Sequence, residues 1–222
     1  MGAWFSFSSR FLIGTMCAAM LSSVAGAHPH VFVTARSAVL FDRQGRMTAI
    51  RHVWQFDPAF SAFASQGLDT NGDGKLSAAE LAPMAKTNVK SLKYYGFFTW
   101  LSVGKHKIKL NEPDKYFLRD IGGLLTLYYE LPLATPTPPG PKVTLEVFDP
   151  EYFVAFTFTK KDPITLYHAP PGCTAAYHAP HPLDAKIMGQ LAAVPASQHD
   201  LPPALRDAAV GLANLIEISC PK

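Results

Sequence analysis

The stretch Val31-Phe32-Val33-Thr34-Ala35-Arg36-Ser37-Ala38-Val39-Leu40-Phe41, then Asp42-Arg43-Gln44-Gly45, then Arg46-Met47-Thr48-Ala49-Ile50-Arg51-His52-Val53-Trp54-Gln55-Phe56, decides the fold class. Both arms are rich in β-branched and apolar residues, and the four residues between them end in glycine, which is the pattern of a hairpin. Side chains alternate between the faces of a strand, so Ile50, His52, Trp54 and Phe56 share one face. Short apolar runs recur at residues 97–103, 107–110, 116–120, 124–131, 142–148 and 152–158, while residues 134–141, with four prolines, read as a loop. Short strands separated by Gly and Pro turns predict an α+β chain, mainly an antiparallel β sandwich or open barrel.

An insertion at about residues 57–93 breaks the strand pattern. Asp57-Pro58 is a helix start, an N-cap followed by proline at the first helical position, with Phe60 and Phe63 on a common face. Residues 81–92 carry Leu81, Met84, Ala85, Val89 and Leu92 near one apolar stripe of a second helix. Between them, Asp69-Thr70-Asn71-Gly72-Asp73-Gly74-Lys75-Leu76-Ser77-Ala78-Ala79-Glu80 matches the EF-hand calcium loop position by position. Asp69, Asn71 and Asp73 supply side-chain oxygens, Gly74 the sharp turn, Lys75 a backbone carbonyl and Ser77 a further ligand position. Glu80 closes the loop with both carboxylate oxygens, and Leu76 points back between the helices. Ca²⁺ takes about six to eight oxygens, which this loop provides from consecutive residues. No second such loop occurs in the sequence, so the expected affinity is that of exported modules, on the order of 10⁻⁴ to 10⁻³ M, and calcium is expected to staple rather than to signal.

The first 27 residues read as a secretory signal: Arg10 is basic, residues 11–21 are apolar and Ala25-Gly26-Ala27 suits a signal peptidase. The apolar run is shorter than the roughly 20 residues a membrane helix needs. The mature chain is then a single domain at residues 28–222, periplasmic, with no intrinsic span. Lys plus Arg number 20 against 17 Asp plus Glu, with no basic block, which excludes nucleic acid as a partner. Export leaves Cys173 and Cys220 as an even pair in an oxidising compartment. A disulfide between them stabilises by about 3 to 4 kcal/mol in the chain-entropy model and tethers residues 168–222, whose Pro, Ala and His richness predicts little packing of its own.

Cleavage after Ala27 exposes His28-Pro29-His30. His28 then offers its α-amine and ring Nδ1 to one metal, and His30 adds a third nitrogen, a histidine brace when the metal is copper. Pro29 has no amide hydrogen to lose, which blocks the amide-bound copper site of a third-position histidine. Imidazole does not choose among Zn²⁺, Ni²⁺, Co²⁺ and Cu²⁺. His52, beside Trp54, reads as a core or rim histidine, His106 as a hairpin tip, and His168, His178, His181 and His199 as loop residues. Hydrolase and nucleotide signatures are missing: no Gly-x-Ser-x-Gly, phosphate-binding glycine loop, His-Glu-x-x-His or Cys-x-x-Cys occurs, so no catalytic residue is assigned.

His28-Pro29-His30-Val31-Phe32-Val33, Trp54-Gln55-Phe56-Asp57, Gly67-Leu68-Asp69, Leu131-Pro132-Leu133, Phe148-Asp149-Pro150 and Tyr152-Phe153-Val154-Ala155-Phe156 resemble, in order and spacing, a bacterial family of unknown function. Its members are labelled a periplasmic component of an uncharacterised ABC-type transport system and tend to accompany nickel, cobalt or zinc transporters. The resemblance covers about residues 28–163 and extends loosely through Cys173 and Cys220. It implies a metal-binding accessory of an inner-membrane transporter, with His28 and His30 as the candidate site. A clamshell solute-binding protein needs two α/β lobes, which this strand-rich sequence does not supply. Two alternatives stand beside it: a calcium-stabilised envelope interaction module without transition metal, and a copper enzyme built on the N-terminal brace.

Overall fold

A computed structural model of the chain describes residues 29–195, 198 and 200–221; the predicted signal segment, His28 and His199 lie outside them. The opening hairpin forms as expected. Strand β1 (Val31–Phe41) pairs antiparallel with β2 (Met47–Phe56), from Val33 opposite Phe56 to Phe41 opposite Met47. The Asp42 carboxylate accepts from the amides of Gln44 and Arg46 at 3.0 and 2.9 Å, and Gly45 makes the turn at φ 73°, a region that favours glycine.

The chain continues through helix α1 (Pro58–Ala64), helix α2 (Ala78–Leu92), a 3₁₀ segment (Lys93–Phe98) and strands β3 (Thr99–Val103), β4 (His106–Ile108), β5 (Lys115–Ile121), β6 (Leu124–Thr137) and β7 (Val143–Val147). Strands β8 (Val154–Phe158), β9 (Ile164–Tyr167) and β10 (Thr174–His178), helices α3 (Ala185–Ala192) and α4 (Pro203–Val210) and strand β11 (Asn214–Ser219) follow. One sheet runs β5-β6-β2-β1-β8, with β9 also beside β1, and the other runs β10-β11-β7-β3-β4. This is a mixed α+β fold dominated by two sheets, with no closed barrel among the described residues.

Four expectations change. The sheets are not wholly antiparallel: after β7 the chain crosses between sheets, so β8 and then β9 lie parallel to β1. Residues 134–137 extend β6 rather than starting a loop, because Thr137 pairs with Met47 across a register irregularity and Pro132 still supplies its carbonyl to Asn111 N–H at 2.8 Å. Residues 97 and 98 close the 3₁₀ segment instead of opening β3. The C-terminal segment packs more than its composition suggests: β10 and β11 complete the second sheet, and Leu191, Val194, Leu201 and Ala209 form a small core of their own. The Cys173–Cys220 disulfide closes the end of the β10–β11 ladder, beside the Thr174 and Ser219 pair.

The main core joins the two sheets, with Ile50, Trp54, Leu127 and Leu131 from one and Leu101, Leu145, Val147 and Ile216 from the other. Asn214 on β11 bridges the sheets, its amide donating to the carbonyls of Val147 and Phe156 at 3.2 and 3.1 Å. Helix α1 is capped as the sequence predicts, and α2 starts at Ala78, earlier than the expected Leu81, behind a cap not named from the sequence. Asp57 accepts from Phe60 N–H at 3.0 Å, and Ser77 with Glu80 forms a capping box at the start of α2. The stripe Leu81, Ala85 and Val89 turns α2 into the core, where it packs across β5.

Candidate calcium loop, histidine corner and apolar cavity

The loop at residues 69–80 is wired internally. Asp69 Oδ1 accepts from the amides of Gly72 and Asp73 at 2.8 and 3.2 Å, and Asp69 Oδ2 from Gly74 at 2.9 Å. Asn71 Oδ1 accepts from Asp73 N–H, and Asp73 Oδ1 from Lys75 N–H. Gly72 and Gly74 take φ near 72 and 76°, which lets the backbone curl around the Asp69 carboxylate. Glu80 closes the ring: Oε1 accepts from Thr70 N–H and hydroxyl at 2.8 and 2.9 Å, Oε2 from Ser77 N–H and hydroxyl at 2.9 and 2.7 Å. Those donors, led by the Ser77 hydroxyl, lower the Glu80 pKa to about 2. Residues 70–75 are exposed, and Asp69 is half-buried.

The donors are all oxygens, from carboxylates, an amide and hydroxyls, which suits a hard cation such as Ca²⁺ rather than a soft one. Each loop carboxylate oxygen that holds an amide keeps further lone-pair capacity. Among the described residues, no three His, Cys, Asp or Glu side chains already converge as a metal-holding group. Fit therefore rests on donor chemistry and loop wiring.

At the histidine corner, His30 is half-buried rather than projecting. Its amide donates to Phe153 O at 2.9 Å and its ring packs on Phe153 with centroids 4.7 Å apart. His28, the other half of the expected chelate, lies outside the described residues. His178, expected in a loop, is the last residue of β10 and faces Glu217 at 3.3 Å; His106, expected at a hairpin tip, is the first residue of β4 and pairs with Val103 across the Gly104-Lys105 turn.

His52 is a core histidine. It is fully buried, with Nδ1 2.8 Å from Ser37 Oγ and Nε2 3.2 Å from Thr99 Oγ1. Thr99 donates to Phe97 O at 2.7 Å, so it accepts from Nε2–H and leaves Nδ1 to accept from the Ser37 hydroxyl. Burial lowers the His52 pKa to about 3, so the ring is neutral at physiological pH. The chain Ser37, His52, Thr99 ends on a carbonyl in an unusual stretch: Gly96, Phe97 and Phe98 are all left-handed, at φ 59, 55 and 50°. For two adjacent phenylalanines that conformation costs about 1 to 2 kcal/mol each, offset by burying both rings.

Phe98, the last of these, lines a cavity of about 280 Å³ that no sequence motif announces. Trp54, Phe56, Phe60, Tyr95, Phe98 and Phe153 supply its rings, Val31, Leu92 and Leu127 its aliphatic surface, and Asp149 and Glu151 its acidic edge. Both acids have protein partners. Asp149 accepts from the amides of Glu151, Phe153 and Val154, although its burial still raises its pKa. Glu151 accepts from Leu201 N–H and pairs with Arg206 at 3.0 Å. Only the period-two face of β2, with Trp54 and Phe56, hinted at this wall; the other rings come from distant segments.

A family model described as "Protein of unknown function (DUF1007)" matches residues 13–220. The chain is similar to an uncharacterized 15.5 kDa protein in the trpE 3' region of Spirochaeta aurantia, 29% identical over 98 residues, covering 44% of this chain and 70% of that one. It is also similar to an uncharacterized protein of Haemophilus influenzae, 24% identical over 174 residues, covering 78% and 82% of the two chains.

Proposed function

The chain belongs to the DUF1007 family of proteins of unknown function, and from that premise we propose that it is an exported calcium-binding protein serving as a metal-binding accessory to an inner-membrane transition-metal transporter. The observation that carries the calcium reading is the closed wiring of residues 69–80, in which Asp69 gathers three amides and Glu80 ties both ends of the loop to the start of α2. Calcium would supply the positive charge that offsets Asp69, Asp73 and Glu80. The residues themselves position the oxygens, with Asn71, the Lys75 carbonyl and Ser77 completing an EF-hand set, and hold the entry to α2. Because α1 and α2 are already capped and packed, the ion acts as a staple in this reading.

The transport part is supported by His28-Pro29-His30 at the expected cleavage point and by a disulfide suited to an oxidising compartment. No helix among the described residues is long and apolar enough to cross a membrane. Packing of His30 against Phe153 favours a second reading, an envelope interaction module stapled by calcium without a transition metal. Isothermal titration of the protein purified from its own periplasm separates them. The accessory binds Zn²⁺, Ni²⁺, Co²⁺ or Cu²⁺ in a manner lost in His30→Ala; calcium binding that survives with no transition-metal binding selects the module. Absence of calcium binding at millimolar concentration overturns both.

A further inference from the structure

The sequence holds no basic block, yet the first sheet gathers cations that lie far apart along the chain. Side chains of β1, β2, β5 and β6 that do not enter the core point to its outer face, which brings Arg36, Arg51, Lys115 and Arg119 together around Glu130. Glu130 is already held by Arg51 at 2.9 Å and Lys115 at 3.4 Å, and its side chain is only 14% exposed. Neither Arg36 nor Arg119 forms an ion pair among the described residues. Both guanidinium groups therefore stand on this exposed face with no carboxylate to neutralise them.

Rings are interleaved with these cations. Phe117, Tyr128, Val53 and Arg36 form one rung across four strands. Phe117 and Tyr128 stack with centroids 4.6 Å apart, the Arg119 guanidinium lies over them at 5.2 and 5.8 Å, and that of Arg51 lies 5.7 Å from the Tyr167 ring. Phe32, Phe117, Ile121 and Tyr167 are each between 45 and 54% exposed here. A guanidinium seated on a ring is held in place while its N–H groups stay open to oxygens. Because cations separate the apolar side chains, the face lacks the charge-depleted centre that a protein partner buries. The headgroup layer of an anionic bilayer is its complement, with phosphate oxygens for the arginines and, just below them, an apolar boundary for the half-exposed rings. We propose that this sheet face docks the protein on an anionic phospholipid surface. None of its residues belongs to the loop at residues 69–80 or lines the apolar cavity, so the docking face stands apart from both.

Protein purified from its own periplasm is sedimented with vesicles of equal parts phosphatidylglycerol and phosphatidylcholine, and with vesicles of phosphatidylcholine alone. Binding is expected to the first kind only, and to fall as NaCl rises from about 0.05 to about 0.5 M. Arg36→Gln combined with Arg119→Gln should weaken it about 25-fold, at roughly fivefold per cation, and Phe117→Ser should weaken it further. Lys86→Gln combined with Lys90→Gln, which removes the same charge from exposed positions of α2, should leave it within about twofold. Soluble polyglutamate, matched in charge, should bind more weakly than the phosphatidylglycerol vesicles. No binding to those vesicles, equal binding to both kinds, or an equal loss in the arginine and lysine variants overturns the proposal. Tighter binding of polyglutamate also overturns it and assigns the face to an acidic polypeptide instead. The comparisons made on the wild-type chain decide without requiring any variant to fold.

Discussion

The loop at residues 69–80 and the cavity walled by Trp54 are opposite kinds of site. The loop is assembled from twelve consecutive residues, satisfies its polar groups internally and stands largely exposed. The cavity draws on β1, β2, α1, α2, the 3₁₀ segment, β6 and β8. A local site can be altered without disturbing the core, whereas a site assembled from packed elements shares its residues with the fold. Substitutions should therefore separate binding from stability at the loop and fail to do so at the cavity wall.

The largest effect tests the cavity side. Trp54→Ala removes a fully packed ring between the sheets and should destabilise by about 3 to 5 kcal/mol in urea unfolding, with or without calcium. A loss below 1 kcal/mol would mean that the cavity wall is not part of the core.

Calcium tests the loop side. At a calcium concentration about 100 times the dissociation constant, stabilisation should be about 2.7 kcal/mol, and Glu80→Gln should lose most of it. Without calcium, Asp69→Ala should shift stability by less than about 1 kcal/mol, since the freed amides face water. A larger calcium-free loss in thermal melting would show that the loop is not local.

The buried relay behind the strained wall should respond to pH. His52 has a folded pKa depressed from 6.5 to about 3, so its neutral form stabilises fully above pH 6.5. As pH falls from 6.5 toward 3, the unfolded chain takes up a proton that the folded chain refuses, and stability drops by up to about 1.4 kcal/mol per pH unit. His52→Gln should flatten that slope relative to the parent when urea unfolding is repeated at pH 6, 5 and 4. Ser37→Ala, which strips the donor from Nδ1, should cost about 1 to 3 kcal/mol at pH 7.

The smallest effect links the two regions. Asp57 caps α1 and also accepts from Phe32 N–H at 2.9 Å, so Asp57→Ala should cost about 1 kcal/mol and loosen Phe60 at the cavity more than it loosens the loop. Hydrogen exchange that is faster across residues 69–80 but unchanged across residues 58–64 would reverse that ordering.

The hairpin, the cap at Asp57 and the cysteine pair could all be read from neighbouring residues or simple spacing. Each depends on interactions that close within a few positions or, for the cysteines, on there being one possible partner. The parallel placement of β8 and β9, the extension of β6 past Pro136 and the strands formed by residues 174–178 and 214–219 could not be read, because each depends on a pairing partner far along the chain. His52 shows the boundary between the two. Its face of β2 followed from alternation, but its neutrality followed from burial, which is complete only when the sheets meet.

Sequence by itself determined a strand-rich α+β chain, a helix pair around an oxygen-rich loop, and a disulfide near its C-terminus. Tertiary structure alone decided that rings from β2, α1, the 3₁₀ segment and the stretch before β8 would converge on one cavity, that Phe98 would be held left-handed at its wall, and that the indole of Trp54 would be buried without an acceptor among the described residues. The reason is physical: hydrogen-bonded loops and caps are specified by nearest neighbours, whereas burial, desolvation and empty space are properties of surfaces that exist only after distant residues pack together.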